Sequence, residues 1–169
     1  MFKKIMLTAL VATTMCLAAQ AQKFGYCNSS ELLNAMPEAT SMKTELQTIS
    51  EKYDKELQNL QDAFQKKYSE YEAQANDAST PQAIKDRHEQ ELQEEYNKIQ
   101  NFREKALQDL QTQQERLQAP IIQKVQNAIQ AVGAEGGYTF IFDQVAGAIV
   151  YTGTNAEDVT SKIKSKLGI

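Results

Sequence analysis

The chain has little of what enzymes are usually made from. Its 169 residues include one histidine and two cysteines. His88 has no second histidine or cysteine nearby in the sequence, so it cannot begin a zinc site and reads as a histidine on a helix seam. There is no G-x-x-x-x-G-K-[ST] loop to cradle a phosphate and no G-x-S-x-G elbow to present a nucleophilic serine. Acidic residues are plentiful, but they fall on solvated helix faces, several in i,i+4 register with lysine, as in Glu51–Lys55 and Glu94–Lys98. No pair of carboxylates marks a pocket. Catalysis, a cofactor and a metal site are therefore not expected. With a net charge of −4 the chain also lacks the basic stripe that nucleic-acid binding requires.

Long apolar runs are missing as well, except at the N-terminus. Lys3-Lys4, an apolar stretch over 5–19 and Ala19-Gln20-Ala21 form the three parts of an export signal, too short to span a bilayer comfortably. Cleavage after Ala21 would leave a chain starting at Gln22, with net charge −6 once Lys3 and Lys4 are gone. Cys16, preceded by Thr14 and Met15, fits a lipid-attachment site poorly. Its removal leaves Cys27 alone, so no intrachain disulfide is possible and the thiol reads as a small buried hydrophobe. No later segment is long enough to cross a membrane. The expected setting is the periplasm.

Helical periodicity dominates what remains. Over 44–118 the pattern is broken once, at Asn76-Asp77-Ala78-Ser79-Thr80-Pro81. The first half places Leu46, Ile49, Tyr53, Leu57, Leu60, Phe64, Tyr68, Tyr71 and Ala75 on one seam, and Leu46, Leu57 and Tyr68 recur every eleven residues. An eleven-residue repeat is about 3.67 residues per turn, close to a relaxed helix. A helix of about 40 residues rises roughly 60 Å, more than a small domain can cover. The return half, with Thr80 as N-cap and Pro81 in the first turn, puts Ile84, His88, Leu92, Tyr96, Ile99, Arg103, Leu107, Leu110, Gln114, Gln118 and Ile121 on its seam. Two such segments joined by a short polar turn predict an antiparallel hairpin over 43–118 with its tip near 76–81. His88, Arg103 and Gln114 thin the seam, which implies arms that open readily and a tip least protected from hydrogen exchange. Pro120 should break the helix, starting a separate one with Ile121, Ile122, Val125, Ile129 and Val132 buried, up to the glycines at 133–137.

The chain ends read differently. Residues 23–27 predict a strand and Asn28-Ser29-Ser30-Glu31 a helix start leading to Leu32, Leu33 and Met36, with Pro37 opening the next helix. Segments 138–143 and 148–153 look like a β-hairpin, and Asn155-Ala156-Glu157-Asp158 like the start of a closing helix with Val159, Ile163 and Leu167 on one face. The expected fold is thus mainly α with a small β component: a long coiled hairpin inserted in a small α/β body made of 22–42 and 119–169. Phe24, Tyr26, Tyr138, Phe140, Phe142, Ile149 and Tyr151 would leave a short open sheet with an exposed apolar face, which argues for self-association through the strands.

Taken in order, the leader, Lys23-Phe24-Gly25-Tyr26, Leu32-Leu33, Met36-Pro37-Glu38, the hairpin, Pro120-Ile121-Ile122, Gly137-Tyr138 and Asp158-Val159-Thr160 resemble the Skp/OmpH family of periplasmic chaperones. The resemblance covers essentially the whole chain after Ala21. It implies a homotrimer whose strands form a hub, with helical tentacles around a cavity. There unfolded outer-membrane β-barrel proteins would be held without ATP. On that reading the client-facing residues lie among Tyr53, Phe64, Tyr68, Tyr71, Tyr96 and Phe102. Tyrosine suits such a role, having a large apolar ring and a hydroxyl that tolerates water. Family members are typically basic and this chain is acidic. Lys66, Lys67, Lys85 and Arg87 near the tip are interleaved with Asp62, Glu70, Glu72, Asp77, Asp86 and Glu89. Charge attraction of clients and a lipopolysaccharide site are therefore not carried over. The competing reading is a periplasmic spacer or adaptor whose arms bind one envelope partner.

Overall fold

The computed structural model describes residues 22–145, 147 and 149–169, so the export signal expected over 1–21 lies outside the described residues. In chain order the elements are β1 (Phe24–Cys27), α1 (Ser29–Ala35), α2 (Pro37–Ala75), α3 (Gln82–Gly136), β2 (Phe140–Asp143), β3 (Ala156–Asp158) and α4 (Thr160–Leu167). The protein is mainly helical with one small sheet. It divides into two compact units: the described residues up to Ala35 together with Gln123–Ile169, and Met36–Ile122.

In the first unit β1 is the central strand of three, in the order β2-β1-β3. Both neighbours run parallel to it, with Phe24 opposite Phe140 on one side and Ala156 on the other. The β-hairpin expected from 138–143 and 148–153 does not form. Of those two segments only Phe140–Asp143 is a strand, and residues 149–153 belong to none. The exit of β2 is instead tied to β1 and α1. Gln144 N–H donates to the Cys27 carbonyl at 2.9 Å, and Asp143 accepts from Ser29 N–H at 3.2 Å and from its hydroxyl at 2.5 Å. The β-rich composition of 148–153 described a residue type suited to a sheet, and a partner decides whether the strand forms.

The third strand is Ala156–Asp158, which the cap-like Asn155–Asp158 run had marked as a helix start. The helix begins at Thr160, whose N–H takes a hydrogen bond to Asp158 Oδ1 at 2.9 Å. Its expected buried face is partly seen: Val159 and Ile163 are fully buried and Leu167 half-buried. They share the unit's interior with Leu32, Cys27, Val125, Ala128 and Val132. Asn28 caps α1, accepting from Glu31 N–H at 3.0 Å. Gly137, at φ 65°, ends α3: its N–H donates to the Ala134 carbonyl and Tyr138 N–H to that of Gly133, a Schellman closure.

Within the second unit α2 and α3 run antiparallel. Residues bonded across the pair draw together in sequence towards the tip. They are 71 apart for Glu45–Arg116, 56 for Tyr53–Asp109, 28 for Lys67–Glu95 and 10 for Ala75–Lys85. On α2 the expected seam is half-buried along its length except Tyr68. On α3 the seam is rotated from the expected one. Tyr96, Arg103, Leu107 and Gln114 are exposed, while Glu95, Ile99, Phe102, Ala106 and Leu117 turn inward. Arg103 and Gln114 therefore do not interrupt it; a carboxylate, Glu95, does. The first helical hydrogen bonds of α3 run to the Pro81 carbonyl, which makes Pro81 the cap and shifts the expected start by one residue.

Pro120 does not divide α3, which runs through it as one helix of 55 residues. Proline removes the N–H that would bond the Arg116 carbonyl. Both residues are exposed, so water can satisfy the freed carbonyl, and Ile121, Val125, Ala128 and Val132 keep the apolar stripe buried beyond it. Pro120→Ala should accordingly raise the unfolding free energy, by up to about 3 kcal/mol, in urea denaturation. Unchanged or lowered stability would show that the proline is accommodated without cost.

Cys27 is 1% exposed. Burial pushes its thiol up to about 11, helped by the nearby Asp143 and Asp158 carboxylates. Thiol reagents at pH 8 should therefore label the native protein only through opening of the sheet, at a rate that rises steeply with urea. Rapid labelling without urea would contradict a closed interior.

Candidate functional site

Two aromatic surfaces stand out, one in each unit. The first follows from strand alternation. Gly25 and Cys27 are buried on one side of β1, which leaves Phe24 and Tyr26 on the other. The parallel register sets Phe140 beside Phe24 and Phe142 beside Tyr26. Phe24 and Phe140 stack at 6.3 Å, and Phe142 lies 6.5 Å from Phe24 and 5.9 Å from Phe140. Next to these rings is a groove of about 440 Å³, walled by Phe24, Tyr26 and Phe142 on the sheet side and by Ile149, Val150 and Tyr151 on the other. Much of this surface is bare: Phe140, beside the groove, is 58% exposed, and Tyr151 and Val150 in its wall are 85% and 95% exposed.

Six of the seven residues expected to mediate association lie on or beside this face. Tyr138 does not. Its ring fits against Gly25 and Gly136, where a Cβ at Gly136 would overlap it. Its hydroxyl donates to Glu157 Oε2 at 2.6 Å, and Lys23 sits 4.1 Å from the ring centroid.

The second surface lies on the helical hairpin. Phe102 meets Tyr53 edge-on at 5.9 Å, and Tyr53 donates its hydroxyl to Asp109 Oδ2 at 2.5 Å. Phe64 stacks on Tyr68 at 6.2 Å. Phe64, Tyr71 and Phe102 are half-buried in the seam, whereas Tyr68 and Tyr96 are 39% and 50% exposed. A hydrogen bond to Glu72 raises the Tyr68 hydroxyl above its ordinary range. Tyr53, Leu57, Phe102, Ala106 and Leu110 line a groove of about 300 Å³, with Leu107 at its edge. Sequence reasoning placed Leu107 inside the seam, yet it is 70% exposed.

Of the polar residues at the seam, His88 is expected from the sequence pattern and Glu95 is not. Glu95 is buried and accepts from Lys67 at 2.6 Å across the hairpin and from Lys98 at 2.9 Å along its own helix. The signal was present: Glu95, Ala106 and Leu117 keep the eleven-residue spacing already visible in Leu46, Leu57 and Tyr68. His88 is half-buried with Nδ1 3.7 Å from Glu91. Among the described residues no cluster of histidine, cysteine, aspartate and glutamate is arranged to hold a metal, and no helix is long and apolar enough to cross a membrane.

With these surfaces in view, the chain can be set beside known proteins. The model of a family described as outer membrane protein (OmpH-like) matches residues 23–167. The chain belongs to that OmpH-like family. No curated protein matches it. A crystal structure of an OmpH-like protein from Caulobacter crescentus CB15, given as a candidate outer membrane chaperone, has a similar fold. The TM-score is 0.72 at 15% identity, over 86% of this chain and 83% of that one.

Hydrogen bonds from Lys67, then Lys98, hold the Glu95 carboxyl below its ordinary value of 4.5. A lowered folded-state value means that its contribution is complete above about pH 4.5 and is lost as pH falls through the folded value. On acidification below about pH 4.5, arm peptides around Lys67 and Glu95 should lose hydrogen-exchange protection, and Glu95→Gln should flatten that response. An identical acid response in the variant would remove Glu95 from the account.

Proposed function

We propose that the protein is an ATP-independent periplasmic holdase that keeps unfolded outer-membrane proteins from aggregating between the helical arms of a self-associated assembly. Membership of the OmpH-like family supports a chaperone-type role in general. The observation that carries the finer reading is the set of large apolar side chains left uncovered on an otherwise charged hairpin: Tyr68, Ile84, Tyr96 and Leu107. A holdase works through many weak contacts. Full burial of one such side chain contributes about 1.5–3 kcal/mol, and fluctuating contact much less, so a client is retained without being frozen and leaves without fuel.

Self-association belongs to the same proposal. The open face of Phe24, Tyr26, Phe140 and Phe142, continued by Ile149 and Tyr151, is the kind of apolar patch that a second copy would cover. The trimer is the assembly that the family resemblance implies, and the export pattern of 1–21 supports the periplasmic setting.

The test is aggregation of several unrelated denatured outer-membrane β-barrels, followed by light scattering with no nucleotide present. Suppression of all of them at stoichiometric ratio is expected. Replacing Tyr68, Tyr96 and Leu107 together by serine should weaken client binding about tenfold or more with helicity preserved, because all three are exposed. Failure with every client would favour an adaptor with one envelope partner. Sedimentation of the protein alone reports the association separately.

A further inference from the structure

We propose that Tyr138 and Glu157 form a lock on the edge strand β3 that positions the wall of the apolar groove, making them positioning residues for self-association although neither lies on the associating face. The inference rests on the self-association reading above. Strand β3 has only three residues and lies at the edge of the sheet. Strands this short are marginal unless something besides the ladder holds them. The segment that walls the groove, including Ile149, Tyr151 and Asn155, runs directly into this strand, and Ala156 is the strand's own contribution to the groove. Alternation turns the next residue, Glu157, to the opposite side, where it is the register partner of buried Gly25.

Three donors from three different parts of the unit converge on that carboxylate. Tyr138, just past the end of α3, donates its hydroxyl to Oε2 at 2.6 Å. Lys23, preceding β1, lies 3.3 Å from the same oxygen. Lys162, in α4, pairs with Oε1 and also reaches the Tyr138 hydroxyl at 3.1 Å. Singly, such half-exposed ion pairs contribute little. Here the tyrosine gives the cluster a fixed post, because its ring fills the space left by Gly25 and Gly136 and has both ammonium groups close by, Lys23 at 4.1 Å and Lys162 at 5.7 Å from its centroid. The convergence holds Glu157 well down, at about 2, so the carboxylate stays charged through any ordinary periplasmic acidity. Release Glu157, and β3 loses the side-chain tie that joins it to Lys23, Tyr138 and Lys162, leaving its short ladder to β1 and the local bonds of Ala156 and Asp158 to hold the groove wall leading into it.

The test compares Glu157→Gln and Tyr138→Phe with Glu31→Gln, which removes the Glu31–Lys164 pair of α1 and α4 and leaves β3 untouched. Phenylalanine keeps the ring in its slot, and circular dichroism checks that each variant folds. Sedimentation across a dilution series reads association, and hydrogen exchange reads the Val159 amide, which bonds the Tyr26 carbonyl beside β3. In both lock variants association should weaken about tenfold and the Val159 amide should exchange about tenfold faster, with the control unchanged. Wild-type association and exchange in both variants would overturn the lock. If the wild-type protein is monomeric at every concentration, the self-association reading fails. The exchange measurement then decides on its own whether the lock exists, and unchanged exchange would overturn it.

Discussion

The first unit depends on one four-residue strand having both edges paired. β1, buried on one face and central in the sheet, cannot leave its N–H and C=O groups unpaired, and both partners come from the far end of the chain. Ser29 and Asp143, 114 residues apart, show how far apart the meeting segments are. Everything between β1 and β2, including the whole of the Met36–Ile122 unit, is an excursion that begins and ends at this sheet. Closing so long a loop costs entropy that only the completed sheet repays. That explains why the junctions are heavily bonded. Asn28, Asp143 and Asp158 each cap or tie the chain within a residue or two of a strand end.

A different constraint governs the hairpin. Two helices side by side bury only a stripe of each other, and here the stripe includes charged and polar groups. Glu95 with Lys67 and Asp109 with Tyr53 occupy seam positions where a tightly packed pair would have leucine or isoleucine. A partly buried carboxylate needs a partner, so each of these pairs specifies register more than it adds stability. The apolar side chains displaced from the seam point outward, and Leu107 and Tyr96 are the clearest cases. Polar register and exposed apolar surface are therefore two aspects of the same sequence choice.

Much of this was readable beforehand, and the failures have specific causes. The eleven-residue recurrence of Leu46, Leu57 and Tyr68 disclosed α2, and the polar run at 76–81 disclosed the turn. The same recurrence on α3 passes through Glu95, and a reading that looks only for apolar residues drifts to Tyr96 and Leu107, one position round the helix. Pro120 was read for its local cost, which is real. Its exposure, invisible in the sequence, decides how easily that cost is met. The third strand was misplaced because Ala156-Glu157-Asp158 carries no β signal. What makes it a strand is the free edge of β1, a tertiary fact. Of the aromatic residues expected on the open face, Tyr138 went elsewhere because two glycines, Gly25 and Gly136, vacate a slot of its shape.

The two aromatic surfaces differ in a way that bears on what each can bind. On the sheet the close ring cluster is Phe24, Phe140 and Phe142, fixed by strand register, with Phe24 stacked on Phe140 and Phe142 tilted against both. An apolar face fixed in this way gains most from an equally rigid and complementary partner, which on the proposed reading is another copy of the same face. On the hairpin the rings are mainly tyrosine, and two hydroxyls are already engaged, Tyr53 by Asp109 and Tyr68 by Glu72. Those rings can meet an apolar segment edge-on while their polar ends stay satisfied, and they ask for no particular shape in return. The two surfaces thus differ in kind: one is a set of rings held by strand register, the other a set of rings whose hydroxyls are already bonded. On the proposed reading the first serves association between copies and the second brief contact with unfolded clients, and a holdase needs both.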